Sequence, residues 1–190
     1  MIRKLLVLPV LALGTLLAGC GVISVTDANH MNHGMMGDVA GFSSSDIMFA
    51  QMMIPHHQQA VDMGTLAETR ASNPKVKELA AQIKGEQAPE ILQMKAWLKA
   101  TGSDMDMGHD MGMNGMLTEA DMTALTNANG FKFDVLYLQG MVSHHEGAIA
   151  MAQDVLNSKN AEVKKLAEQI VKVQTEQISY IKKLQQTFSN

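Results

Sequence analysis

The chain of 190 residues contains a single cysteine, Cys20, and few aromatic residues: one tryptophan, two tyrosines and five phenylalanines. One cysteine cannot form a disulfide within the chain, which excludes a disulfide framework, and the absence of a Cys-x-x-Cys-His motif excludes a c-type haem. With so few aromatic side chains, a core must consist mainly of aliphatic residues. The sequence also has no basic block, and its formal net charge is −4, so nucleic acid is not an expected partner.

The first twenty residues have the pattern of a bacterial lipoprotein signal peptide. Arg3 and Lys4 precede an apolar run over residues 5–17, which is too short for a permanent membrane-spanning helix. The run ends in Leu-Ala-Gly-Cys at residues 17–20. We therefore expect residues 1–20 to direct export and Cys20 to be lipid-modified, with the protein anchored at the periplasmic or cell-surface face of the envelope.

Methionine is the abundant residue, with seventeen copies beside seven histidines. Two segments concentrate these residues without any helical period, a tether over residues 21–42 and a linker over residues 101–117. An exposed thioether gains no burial energy, whereas an open segment can wrap several soft donors around one ion. We interpret both segments as flexible capture sites for a metal. The donors of the linker site are Met105, Met107, His109, Met111 and Met113, and those of the tether are His30, Met31, His33, Met35 and Met36.

Apolar residues recur at helical spacing through most of the remaining chain. The first predicted helix contains Pro55, so we expect a kink there unless tertiary packing prevents it. The predicted helices cover residues 43–71, 75–100, 118–129, 132–156 and 161–188.

An internal repeat organises these helices. Residues 49–63 and 137–151 carry the same pattern at a constant offset, and residues 76–83 match residues 163–170. Each half therefore forms a helical hairpin, over residues 43–100 and 118–190. Two hairpins joined by a long connection predict an all-α, ferritin-like four-helix bundle over residues 43–190.

The repeated pattern contains Met-x-x-His-His, with a further methionine beyond it. On a helix, a methionine three or four residues before a histidine is its neighbour, while adjacent histidines lie about 100° apart around the axis. One histidine of each pair should face the bundle interior and the other a neighbouring helix. Folding each hairpin about its turn places Gln87 and Glu90 beside the first pair, and Gln174 and Gln177 beside the second. The predicted metal ligands are Met53, His56, His57 and Met63 in the first copy and Met141, His144, His145 and Met151 in the second.

The ligand types select the metal. Thioethers and imidazoles suit copper(I) and its analogue silver(I), whereas hard ions prefer oxygen. A di-iron centre would need inward-facing glutamates in place of these methionines. Two alternatives stay open: neutral buried histidines that only hydrogen-bond to the nearby amides, and a b-type haem with histidine and methionine ligands. Three other methionines, Met48, Met52 and Met122, are predicted to fill the core.

The doubled motif resembles the family catalogued as domain of unknown function 305, over about Phe42 to Leu184. The resemblance implies a ferritin-like bundle, and some members of that family resemble periplasmic copper-binding chaperones of the CopM type. The eight ligands named above match the recurring positions of the family. The two copies differ at three places, with Ser143 opposite Pro55, Gly147 opposite Gln59, and Gln177 opposite Glu90.

From these features we expect a non-enzymatic lipoprotein that binds copper(I) or silver(I) and buffers the ion or hands it to a partner protein. Two other functions stay open, a copper-dependent oxidase of copper(I) or iron, and an envelope interaction module without metal. A thioether carries no proton, while an imidazole ligand must be neutral. The ordinary histidine pKa therefore predicts that histidine-dependent binding weakens below about pH 6.5, while binding by the linker persists near pH 5.

Overall fold

The computed structural model describes residues 38–105 and 114–188. The predicted signal peptide, Cys20, the five tether donors, and the linker residues Met107, His109, Met111 and Met113 lie outside these ranges. The described residues form an all-α bundle of two helical hairpins, which confirms the predicted fold class. Its helices are α1 (Ser44–Arg70), α2 (Pro74–Thr101), α3 (Glu119–Asn127), α4 (Gly130–Gln153) and α5 (Ala161–Gln186).

Local capping sets the helix ends. Ser43 and Asp46 form a reciprocal capping box that starts α1, and Asn73 caps α2 immediately before Pro74, a residue suited to the first turn of a helix. Gly102, with φ +65°, ends α2 in the left-handed conformation that glycine adopts without strain. Pro55, where the sequence predicted a kink, lies inside α1, and the helix continues beyond it to Arg70.

The four long helices enclose two apolar clusters, one at each end of the bundle. One cluster joins the start of α1 and the end of α2 to the end of α4 and the start of α5. The other joins the opposite ends of the same helices and includes Leu125 of α3. The two hairpins therefore pack antiparallel, α1 against α4, and are related by an approximate twofold axis across the middle of the bundle.

Two buried carboxylates hold the ends of the bundle and occupy equivalent positions in the repeat. Asp134 accepts hydrogen bonds from the backbone N–H of Ser72 at 3.1 Å, the hydroxyl of Ser72 at 2.5 Å and the backbone N–H of Asn73 at 2.9 Å. It thereby ties α4 to the turn between α1 and α2. Asp46 accepts from the backbone N–H of Ser43 at 2.8 Å and caps its own helix.

Phe42, at the end of the predicted tether, is buried and packs against Trp97 with ring centroids 5.8 Å apart. Ordered structure thus begins before α1. Within the two described ranges, no helix is long and apolar enough to cross a bilayer.

Candidate metal centre

Four fully buried histidines lie between the two apolar clusters. His56 and His144 meet near the approximate twofold axis, with ring centroids 3.8 Å apart. His57 and His145 lie outside this central pair, each with its ring centroid more than 6 Å from that of its neighbour in sequence. As predicted, one histidine of each copy faces the interior and the other faces the second helix of its own hairpin. We refer to His56, His57, His144 and His145 as the histidine layer.

Each of three imidazoles has its Nε2 within hydrogen-bond distance of an acceptor. The Nε2 of His144 lies 2.8 Å from the carbonyl oxygen of His56, and that of His57 lies 2.9 Å from a carboxylate oxygen of Glu90. The Nε2 of His145 lies 2.7 Å from the amide oxygen of Gln177. A carbonyl or carboxylate oxygen can only accept, so Nε2 carries the proton in all three rings.

The orientation of the Gln177 amide is fixed by a further contact. Its Nε2 donates to Glu86 at 2.7 Å, so its oxygen must face His145. The sequence predicted both Glu90 and Gln177 as neighbours of the histidines, because residues equidistant from a hairpin turn lie level with each other. Gln87 and Gln174 are buried between them, and neither amide has a hydrogen-bond partner among the described residues.

The ring nitrogens that do not make these hydrogen bonds indicate that the layer binds a ligand. The Nδ1 atoms of His57, His144 and His145 are buried and without a hydrogen-bond partner in the described part of the chain, as are both ring nitrogens of His56. In a neutral imidazole that donates through Nε2, Nδ1 holds the lone pair. Burying such a nitrogen without a partner costs free energy, and a metal ion can supply the missing partner. The layer therefore offers four nitrogen donors, one from each imidazole.

Burial keeps the imidazoles of His56, His144 and His145 neutral. Desolvation, and next the neighbouring His57, lower the pKa of His56 from 6.5 to about 3. Burial and the nearby His56 hold the pKa of His144 well below its usual value. Burial also lowers the pKa of His145 to about 4, although its hydrogen bond to Gln177 acts in the opposite direction. The limit of about pH 6.5 expected from the ordinary histidine pKa therefore does not apply to these three side chains.

The predicted methionine ligands are buried on both sides of the histidine layer. Met53 and Met151 belong to one apolar cluster, together with Met94 of α2. Met63 and Met141 belong to the other. The structure thus pairs the first methionine of one copy with the second methionine of the other copy, which follows from the antiparallel packing of α1 and α4.

Nitrogen and oxygen donors alone do not form a metal site here. No group of three or more histidine, cysteine, aspartate or glutamate side chains within residues 38–105 and 114–188 could hold an ion. Any ion bound at the histidine layer would therefore need another kind of donor, and the two adjoining apolar clusters offer buried thioethers. This donor set fits copper(I) or silver(I) better than a hard ion.

Both described ends of the linker lie against α1. The side chain of Gln51 donates to the carbonyl oxygen of Asp104 at 2.7 Å, and Met105 beside it is 55% exposed. At the other end, the amide of Gln59 accepts from the backbone N–H of Leu117 at 2.8 Å and donates to its carbonyl oxygen at 3.0 Å. Asp104 and Leu117 therefore both contact the helix that carries His56 and His57.

Gly147 is a site residue that the sequence analysis did not identify. A Cβ atom at Gly147 would lie 1.9 Å from the carbonyl oxygen of Asn114, so only glycine permits the linker to cross α4 here. The backbone of Asn114 also lies close enough to His56 to favour its protonated form slightly, although not in good hydrogen-bond geometry. The signal in the sequence was the replacement of Gln59 by glycine in the second copy.

The fold and this site define a class of protein: a duplicated helical hairpin whose midplane buries imidazoles between methionine-containing clusters. The chain belongs to the family described as Domain of unknown function (DUF305), which matches residues 46–185.

Solved structures of this family are similar over most of the chain. A protein from Streptomyces coelicolor, described as secreted, is 33% identical with a TM-score of 0.70, covering 74% of this chain and 91% of that one. A fragment from Deinococcus radiodurans is 30% identical with a TM-score of 0.70, covering 75% and 95%. CopM in its Cu(I)-bound form is 30% identical with a TM-score of 0.65, covering 76% and 98%, and CopM is also known in Ag-bound and Cu(II)-bound forms. No curated protein matches the sequence.

Proposed function

We propose that this protein is a non-enzymatic, lipid-anchored envelope protein that binds copper(I), or silver(I) as its analogue, and buffers the ion or passes it to a partner protein. One observation carries the proposal. Three buried imidazoles each donate through Nε2 to a different acceptor, a carboxylate, a backbone carbonyl and an amide, while Nδ1 has no partner among the described residues. Histidine ligands of metals are held in this way by their outer hydrogen bond.

The ion would be held by Nδ1 atoms of the histidine layer and by thioethers from the adjacent clusters. Met53 and Met141 lie one helical turn before the two histidine pairs and are fully buried. Met63 and Met151 lie further along the same helices. The metal-bound forms of CopM, a protein of similar fold and about 30% identity, support copper and silver as the cargo.

The proposed location is the outer face of a membrane, with Cys20 as the lipid anchor. The family relative described as secreted supports export. The methionines and His109 of the linker would capture the ion at modest affinity. The described ends of the linker are attached to α1 at Gln51 and Gln59. Neither a catalytic role nor contact with nucleic acid is part of this proposal.

The decisive experiment is an anaerobic copper(I) titration of the mature protein against a competing chelator. Changing His56 and His144 to leucine should remove the tight binding, because it takes away the central pair of donors, while apolar side chains keep the layer filled. The matched control is Met122→Leu, since Met122 is a half-buried methionine on α3, away from the histidine layer. Circular dichroism verifies that both variants fold, and unchanged tight binding in the folded double variant would disprove the histidine site.

The absence of catalysis is tested separately. In air, the bound copper(I) should be oxidised only once, in an amount proportional to the protein present. Continued oxidation of added copper(I) or iron(II) over many equivalents would instead identify an oxidase.

A further inference from the structure

The helical spacing predicted that Met48 fills the core, and this prediction is wrong. Its side chain is 47% exposed, and Met52, one turn further along α1, is half-buried. An exposed thioether gains little from burial, so packing does not explain why position 48 carries a methionine.

The two residues line a cavity of about 210 Å³ together with Met151 of α4. Three thioethers from two helices therefore converge on one solvent-accessible space. Asp154, also in the cavity wall, is exposed and brings a carboxylate to it. Soft, uncharged sulfur donors next to a single negative charge are suited to a soft monovalent cation.

Met151 connects this cavity to the interior. It lines the cavity but is only 9% exposed, and it belongs to the same apolar cluster as Met53 and Met94. Met52 packs against that cluster from its outer side. Methionine side chains thus extend from the surface of the bundle to the cluster adjoining the histidine layer.

The repeat shows that these positions do not need methionine for the fold. In the second copy, Leu136 and Gly140 occupy the places of Met48 and Met52. There the face of α4 is covered by Leu117, whose side chain would lie 3.0 Å from a Cβ atom at Gly140. One copy therefore carries an open pair of methionines where the other carries a closed apolar contact.

We propose that Met48, Met52 and Met151 form a second binding site for copper(I) or silver(I), at the surface end of the methionine cluster, with Asp154 supplying the countercharge. The inference rests on the proposed function, because it requires the protein to meet these ions. It adds a site that contains no histidine and that lies on the first copy of the repeat, outside the histidine layer.

The test is a silver(I) titration of the mature protein carrying ¹³C-labelled methionine methyl groups, followed by NMR. The methyl signals of Met48, Met52 and Met151 should shift together. The variant M48L/M52L, which leucine's similar volume should allow to fold, should bind one equivalent of silver(I) less than the parent protein. The control Met122→Leu should bind the same number of equivalents as the parent.

Two results would overturn the inference. Shifts confined to buried methionines such as Met53 and Met141, with unchanged stoichiometry in M48L/M52L, would remove the surface site and leave the histidine site standing. If no methionine signal shifts at any silver(I) concentration, both this site and the proposed function fail.

Discussion

In the first hairpin His57 faces the carboxylate of Glu90, whereas in the second hairpin His145 faces the amide of Gln177. The two imidazoles are equally buried, and each has its Nε2 hydrogen-bonded and its Nδ1 without a partner in the described ranges. The two copies therefore share the imidazoles and their hydrogen-bonded orientation and differ in the charge beside them. What the two halves share indicates the chemistry of the site, and what differs indicates how each half is tuned.

The halves also differ in how they meet the linker. The side-chain amide of Gln59 in the first copy makes two hydrogen bonds to the backbone of Leu117. Its counterpart Gly147 has no side chain and lets the backbone of Asn114 approach α4. The first copy thus hydrogen-bonds to the end of the linker, and the second copy leaves room for its backbone. The end of the linker therefore contacts both copies.

The largest expected effect comes from what the halves share, the burial of neutral imidazoles. The unfolded chain takes up protons below about pH 6.5, whereas His56, His144 and His145 do so only far below it, so acid favours unfolding. At pH 5 His56 and His145 should each cost about 2 kcal/mol of the free energy of unfolding of the metal-free protein, and His144 should lower it in the same direction. Urea unfolding at pH 7 and pH 5 measures this loss, and His145→Gln should reduce it by about 2 kcal/mol. A stability independent of pH over this interval would show that the three imidazoles are not buried as described.

The second prediction compares the equivalent carboxylates Asp134 and Asp46. Asp134→Ala should lower the free energy of unfolding by about 3 kcal/mol, because two backbone N–H groups of the α1–α2 turn lose a charged acceptor. Asp46→Ala should cost about 1 kcal/mol, the usual value for a helix cap. Chemical denaturation of both variants decides the order, and equal losses would contradict the different roles given to them.

The third prediction concerns Gly147. Gly147→Ala should destabilise the protein by about 2 kcal/mol, since its Cβ would collide with the linker backbone. The control is Gly85→Ala, at an exposed position inside α2 where a Cβ meets nothing within 4 Å. That change should stabilise the protein by up to about 1 kcal/mol through helix propensity. A melting temperature that does not fall in Gly147→Ala would show that the linker does not press on α4.

The smallest expected effect tests the difference in charge directly. Glu90→Gln makes the first hairpin resemble the second and should weaken copper(I) binding about tenfold, because the carboxylate orients His57 and offsets part of the charge of the ion. The reverse exchange, Gln177→Glu, should not strengthen binding, since the new carboxylate would face Glu86. Chelator competition gives both affinities. If Glu90→Gln binds as tightly as the parent, the carboxylate has no part in holding the ion.

Much of the fold could be predicted from the sequence because its determinants are local or repeated. The helical period and the duplicated motif led to the hairpins, and the hairpin register placed Glu90 and Gln177 beside the histidines. Met48 and Gly147 were beyond such reasoning. Exposure of Met48 and the approach of the linker to Gly147 depend on how segments distant in sequence pack. The metal-ligand roles of the histidines and methionines stay predictions until an ion is titrated.

The meeting of His56 and His144 near the approximate twofold axis has a mechanical consequence. The rings come from different hairpins and lie 3.8 Å apart at the waist of the molecule. An ion bound by both would cross-link the two hairpins, in addition to the packing and the hydrogen bonds that already join them. The transported ion would then also stabilise the contact between the two hairpins, and its release to a partner would weaken that contact.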